Sequence, residues 1–395
     1  MPSLRSLLPA CVLAGALALT AAPAHAADAW DVPRNATIVL KGHGYGHGHG
    51  MSQYGAEGAA RDGLSYEEIA EFYYPKTAWG RARGRIRVQI TGDTTDDLVV
   101  LPRPGLTVRD LGTGQSWELP DNDATRWRVT RLRDGRNRVT FLRDGSWRGW
   151  RMLDGLGAFS RGGDPVPLVT PSGTVAYRGT LAALAPADAP AARVTVNTLR
   201  LEHYLRGVVP LEIPALWTPA AVQAQAVAAR TYAAYERAHP RASVFDLCDT
   251  WSCQVYGGVP AEHSASNDAV AQTRRRVLKH GGGPAFTQFS SSSGGWTSAG
   301  SVPYLVAKED PYDDWKGNPH HDWKVTVADD RIESAWPSLG NLRRIVVVER
   351  EGAGQWGGRV ETVRFVGSRN NVTVSGDTLR STLGLKSTYL TFRVS

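Results

Sequence analysis

From about Arg85 to Val196 apolar and polar residues alternate in short runs: RIRVQI, LTVRDL, WRVTRL, RVTFLR and TVAYRG. A strand sends successive side chains to opposite faces, so each run predicts a strand with one buried and one solvated face. Asp134-Gly135, Asp144-Gly145 and Gly162-Gly163 fall between these runs and predict turns. A second β-rich stretch starts at Leu342 with RRIVVVER, VETVRFVG and STYLTFRV. The strongest helical pattern lies between the two. Thr218 suits an N-cap and Pro219 the first helical position, and AAVQAQAVAARTYAAYERA runs on to a stop at Pro240. Ala221, Gln225, Ala228 and Tyr232 share one face of that helix, with Arg230 near it. YEEIAEFYYP, from Tyr66 to Pro75, predicts a shorter helix, and the Ala/Pro-rich stretch Leu181 to Ala192 reads as a connector. At 395 residues the chain is long enough for two cores. Its strand and helix patterns predict an α+β protein in which mixed sheet and helices accompany a β-rich second domain.

The N-terminus sets the compartment. Arg5 precedes an apolar stretch, Leu7 to Leu19, and Ala24-His25-Ala26 supplies small residues for cleavage, so residues 1 to 26 read as a signal peptide. That stretch is too short for a stable membrane span, and no later segment approaches the length needed. The mature protein is therefore expected to be secreted, extracellular or in the cell wall. The formal net charge is +7, one unit of it from Arg5. Outside a cell, positive charge points away from nucleic acid and towards wall polymers and anionic headgroups. Alternating arginines at Arg81, Arg83, Arg85 and Arg87, and at Arg126, Arg128, Arg131, Arg133, Arg136 and Arg138, fit solvated strand faces. Cys11 lies in the leader, which leaves Cys248 and Cys253. In an oxidising compartment this close pair reads as a disulfide pinning CDTWSC. A zinc site is the alternative, but two thiolates need two further ligands and the segment contains no histidine, so no metal or other cofactor is expected.

Two segments carry candidate chemistry. In GHGYGHGHGMSQYGA, Gly42 to Ala56, glycine alternates with His43, Tyr45, His47 and His49, which lets backbone approach a ligand or another strand closely while the imidazoles project. In NTLRLEHYLRGVVPLEIPALW, Glu212 is flanked by Leu211 and Ile213 and bracketed by Pro210 and Pro214. Desolvation on such a stiff apolar loop raises a carboxyl pKa, whereas the nearby helix start favours the carboxylate. A group balanced between the two suits a general acid that later acts as base. A capping or ion-paired glutamate, with Arg206 as partner, is the structural alternative.

VVPLEIPALWTPAAVQAQAVAARTYA, CDTWSCQVYGG, FSSSSGGWTSAGSVPYL and GHGYGHGHGMSQYGA together resemble the SpoIID/LytB family, which contains stage II sporulation protein D and the amidase enhancer and acts on bacterial peptidoglycan. The resemblance covers most of the mature chain. It implies a lytic transglycosylase that cleaves the MurNAc–GlcNAc bond and closes a 1,6-anhydro ring, with Glu212 as catalytic residue in sporulation or general wall remodelling. Such an enzyme manages with one carboxylate, because the sugar's own C6 hydroxyl attacks. Glu202 and Asp249 are the candidates for a second, and either in the cleft would favour ordinary hydrolysis. The remaining matched motifs are expected to form the glycan groove: Gln225, Arg230 and Tyr232 on the helix, Gln254 and Tyr256 after the cysteines, Ser291, Ser292, Gly294, Gly295, Trp296 and Thr297 in the serine-glycine run, and His43, His47 and His49.

Two departures stand out from the family pattern. Ser252 occupies the place before the second cysteine where family members often carry histidine, which weakens the case for zinc. The GHG and MSQYGA motif, usually C-terminal to a segment like VSGDTLRSTLGLKSTYLTFRV, here begins the chain while that segment ends it. A circular permutation follows, and it predicts that TYLTFRV lies beside ATIVLKGHGYG. The expected organisation is residues 27 to 84 and 196 to 395 in a SpoIID-like catalytic core, with a β-rich domain at 85 to 195. A non-catalytic wall-glycan module that stimulates a cell-wall amidase is the main alternative. A metal-dependent hydrolase built on His43, His47 and His49 is a third, and their spacing puts no obvious triad on one face of a strand.

Overall fold

The computed structural model describes residues 28–132, 134–189 and 192–395; the signal-peptide reading and Cys11 lie outside them. The alternating runs form strands as their period dictates. In Arg85–Gln89, Ile86 and Val88 are buried and the arginines point outward; in Arg126–Arg131, Trp127 and Val129 are buried. Asp144 and Gly145 both take positive φ, 52° and 73°, joining Asn137–Arg143 to Ser146–Leu153 in the tight turn that their sequence predicts.

Two β-sheets dominate the first core. A seven-stranded sheet runs in the order Leu247–Cys248, Arg85–Gln89, Val194–Arg200, Thr180–Leu184, Gly157–Ser160, Thr107–Asp110, Ser116–Glu118. A six-stranded sheet contains Arg126–Arg131 and Asn137–Arg143. The stretch predicted as a connector contributes the strand Thr180–Leu184 at its start. The helix Pro219–Ala238 is buried on nearly every face, and its alanines let Gln53–Arg61 and Tyr66–Tyr73 pack against it. Ser65 and Glu68 cap the latter reciprocally. Thr218 precedes Pro219 as expected but makes no side-chain cap. Its backbone N–H and hydroxyl donate instead to the buried Glu57 carboxylate, at 2.9 and 3.1 Å.

A second core forms from the two ends of the described chain. Thr37–His43 is the centre of a three-stranded sheet between Asp322–Ala328 and Leu390–Val394. Leu40 pairs with Phe392 and Gly42 with Leu390, antiparallel, so TYLTFRV lies beside ATIVLKG as the permuted order requires. A four-stranded sheet, Ala29–Asp31, Leu342–Arg350, Val360–Gly367 and Asn371–Ser375, buries Ile345 and Phe365 against Ile38 and Leu40. No helix among the described residues is long and apolar enough to cross a membrane.

Candidate active site

Glu212 ends a short helical turn, Val209–Glu212, and Ile213 behind it is extended and buried. Burial pushes the Glu212 carboxyl up to about 7, against the opposing pull of the Val255 N–H that donates to its Oε1 at 3.1 Å. Among the described residues no ion pair reaches Glu212, so the pairing with Arg206 is not formed. The Cys248–Cys253 disulfide, with Cα atoms 5.5 Å apart, closes the loop that delivers Gln254 and Val255. Gln254 is buried: its Oε1 accepts from Tyr204 Oη at 3.1 Å and its Nε2 donates to Ala229 O at 3.4 Å. Tyr256 donates to Asn197 at 3.0 Å and its ring lies 5.0 Å from that of Tyr204. Glutamate, disulfide loop and long helix are thus tied together through an aromatic floor.

Gln225 is fully buried in the long helix one turn before Ala229, and neither of its amide atoms has a partner among the described residues. Two other helix candidates are already engaged. Arg230 is fully buried and donates to Glu202 at 3.0 Å, which also commits Glu202, and Tyr232 Oη accepts from Arg241 at 3.1 Å. Asp249 accepts from the Thr91 hydroxyl at 2.6 Å, and burial holds its carboxyl above the usual range.

The serine-glycine run packs inward onto two buried carboxylates that the sequence reading passed over. Ser292 Oγ donates to Asp313 at 2.8 Å, Gly294 N to Asp313 at 3.0 Å, and Ser293 Oγ to Asp310 at 2.7 Å. Gly295 N donates to Ser293 Oγ, Thr297 Oγ1 to Val306 O, and Ser291 O accepts from Tyr54 N. Trp296 is half-buried and packs where Gly354 leaves room, since a Cβ there would lie 2.8 Å from the Trp296 ring. The histidines separate into two places. His47 and His49 stack at 4.9 Å, and burial, helped by His49, pushes His47 down to about 3. His43 sits on the second core, 2.7 Å from Asp322 and stacked on Trp356 at 4.6 Å.

An aromatic line joins these regions. Trp217, five residues after Glu212, lies 4.8 Å from Tyr54; Tyr54 lies 5.3 Å from His320, and His320 lies 5.0 Å from Tyr45 in the glycine run. Tyr54, His320 and Trp315 were not singled out from sequence. The only signal for the last two is the dense acidic and histidine segment KEDPYDDWKGNPHHDW, Lys308 to Trp323.

The segment that carries Glu212 and the disulfide-pinned loop is similar in sequence to known proteins. Residues 191–280 match the family model SpoIID, described as stage II sporulation protein. Over 115 residues it is 44% identical to the amidase enhancer of Bacillus subtilis (strain 168), covering 28% of this chain and 15% of that protein. It is 35% identical over 149 residues to stage II sporulation protein D of the same organism, covering 31% and 42% respectively. The chain therefore spans less than half the length of these curated relatives.

Proposed function

We propose that this protein is an exported peptidoglycan lytic transglycosylase with Glu212 as its acid and base. The carrying observation is the Glu212 carboxyl, pushed up to about 7 and, among the described residues, held by the Val255 N–H. Such a group is protonated often enough near neutral pH to give a proton and ionised often enough to take one back. Protonated Glu212 donates to the glycosidic oxygen between MurNAc and GlcNAc as the C1–O bond breaks. The MurNAc C6 hydroxyl then bonds to C1 and passes its proton to the Glu212 carboxylate, which closes the 1,6-anhydro ring and restores the acid. No water enters the products. The line Trp217, Tyr54, His320, Tyr45 offers aromatic rings against which successive sugars pack. A cell-wall role agrees with both named Bacillus relatives, and a disulfide agrees with export.

The relative named amidase enhancer favours a second reading, in which the same groove holds glycan and recruits a wall amidase without cleaving. Mass spectrometry of purified glycan strands after incubation separates the readings. Anhydro-ended fragments support the transglycosylase, reducing ends mean hydrolysis with Asp249 as second carboxylate, and uncut strands that remain bound mean the enhancer.

A further inference from the structure

His43, His321 and Asp322 place one ligand atom each within 4.8 Å of the other two, away from the glutamate and from the cysteine pair. Each is fixed by the fold. His43 ends the strand Thr37–His43 and pairs across the sheet with Asp322, the first residue of Asp322–Ala328. His43 Nε2 lies 2.6 Å from Gln355 Oε1, a contact that the tautomer protonated on Nε2 satisfies. Its Nδ1 then carries a lone pair, has no hydrogen-bond donor in reach, and faces Asp322 Oδ1 at 2.7 Å. A lone pair held against a carboxylate oxygen is repulsive until a positive centre sits between them.

A proton would suffice for that pair alone. The second imidazole points to a metal. His321 is oriented through Nδ1 by the buried Asp313 at 3.0 Å, which leaves Nε2 without a hydrogen bond and with Asp314 Oδ1 at 3.9 Å, and a carboxylate behind a histidine is the usual support of a metal ligand. The His43 and His321 ring centroids are 6.0 Å apart. Two imidazoles bound at about 2.0–2.1 Å to one tetrahedral ion have their ring centres roughly 5 Å apart, so the rings need to close by about 1 Å to share one. Exposed Lys41 and Lys324, on the same cavity wall as His43 and Asp322, oppose a cation, but Asp313, Asp314 and Asp322 outnumber them.

We propose that His43, His321 and Asp322 bind one Zn(II) ion, or a first-row divalent ion of similar preference, with Asp313 as the positioning residue for His321. Two imidazoles and one carboxylate suit zinc and leave a fourth position for water from the cavity that Gln355 and Trp356 also line. The ion would clip the start of the glycine run to the second core, contrary to the sequence expectation of no metal. It does not depend on the glycan-cleaving reading.

The test is titration of the full chain, disulfide intact, with Zn(II) by calorimetry, and with Co(II) followed by its visible absorption. One ion per chain is expected, lost in His321→Ala and weakened at least tenfold in Asp322→Asn, whose exposed side chain leaves folding unaffected. His47→Gln should bind as the parent does. Absence of binding at micromolar zinc, unchanged binding in Asp322→Asn, or loss of binding in His47→Gln would each overturn the site.

Discussion

At the scale of the residue, the Glu212 carboxyl sets both activity and stability. Glu212→Gln keeps the shape and the acceptor for Val255 N–H but removes the proton, so cleavage should fall by at least about a hundredfold while strands still bind. Equal cleavage by the variant would show that the proton comes from elsewhere. The same carboxyl predicts a pH effect. Its folded pKa of about 7 lies above the usual 4.5, so the native state holds a proton that the unfolded chain has released between those values. Stability is therefore lost as pH rises through that window, and above it ionised Glu212 costs roughly 3 kcal/mol. Urea unfolding of Glu212→Gln should show a gain of that order at pH 8 and none at pH 4. A gain equal at both pH values would mean that the glutamate is not desolvated.

Elements then decide where that residue points. The loop after Cys253 supplies the Val255 N–H to Glu212 and the Gln254 bridge to the long helix. Breaking the disulfide with Cys248→Ser and Cys253→Ser should lower stability by about 2 kcal/mol, the scale for closing a short loop. It should also lower turnover more than binding, because Val255 is released while the aromatic line is untouched. Trp217→Ala, in contrast, should raise KM by about two- to tenfold with little change in kcat, the worth of one ring contact; a fall confined to kcat would place Trp217 outside the glycan path. At this scale the sequence was readable wherever a period fixed a face: Ile86 and Val88 inward, Arg85 and Arg87 outward, the Asp144-Gly145 turn, and the helix from Pro219 all follow from local pattern. What local pattern could not reveal was which polar groups are spent inside. Ser292 looks like a ligand group in sequence, yet its hydroxyl meets Asp313, as that of the neighbouring Ser293 meets Asp310, about twenty residues away, and Thr218 gives its hydroxyl to Glu57 rather than to its own helix. Those pairings are decided by tertiary contact.

For the whole molecule, the glycine run is the seam between the two cores, and Arg359 is its fastener. This side chain comes from the second core, is 5% exposed, and reaches the serine-glycine loop of the first: Nη2 donates to Ser293 O at 3.1 Å and Nη1 to Gly46 O at 3.3 Å. Burial pushes its guanidinium down to about 10, with Glu351 at 4.0 Å opposing that shift. Gly48 makes the approach possible. Its φ is 80°, and a Cβ would fall 2.2 Å from Nη2 of Arg359. A guanidinium in solvent would swing aside, but this one is buried between two carbonyls and cannot move without leaving them unpaired. Gly48→Ala therefore combines left-handed backbone strain with displacement of a buried charge, together about 2–4 kcal/mol. Gly352 is the control, because its φ of 90° carries the same strain while a Cβ there meets nothing within 4 Å. Gly352→Ala should lose only the strain, roughly 1–2 kcal/mol. Denaturant unfolding of the two variants measures the difference. If Gly48→Ala is no less stable than Gly352→Ala, the seam is loose enough to absorb a methyl group and Arg359 does not hold the cores together.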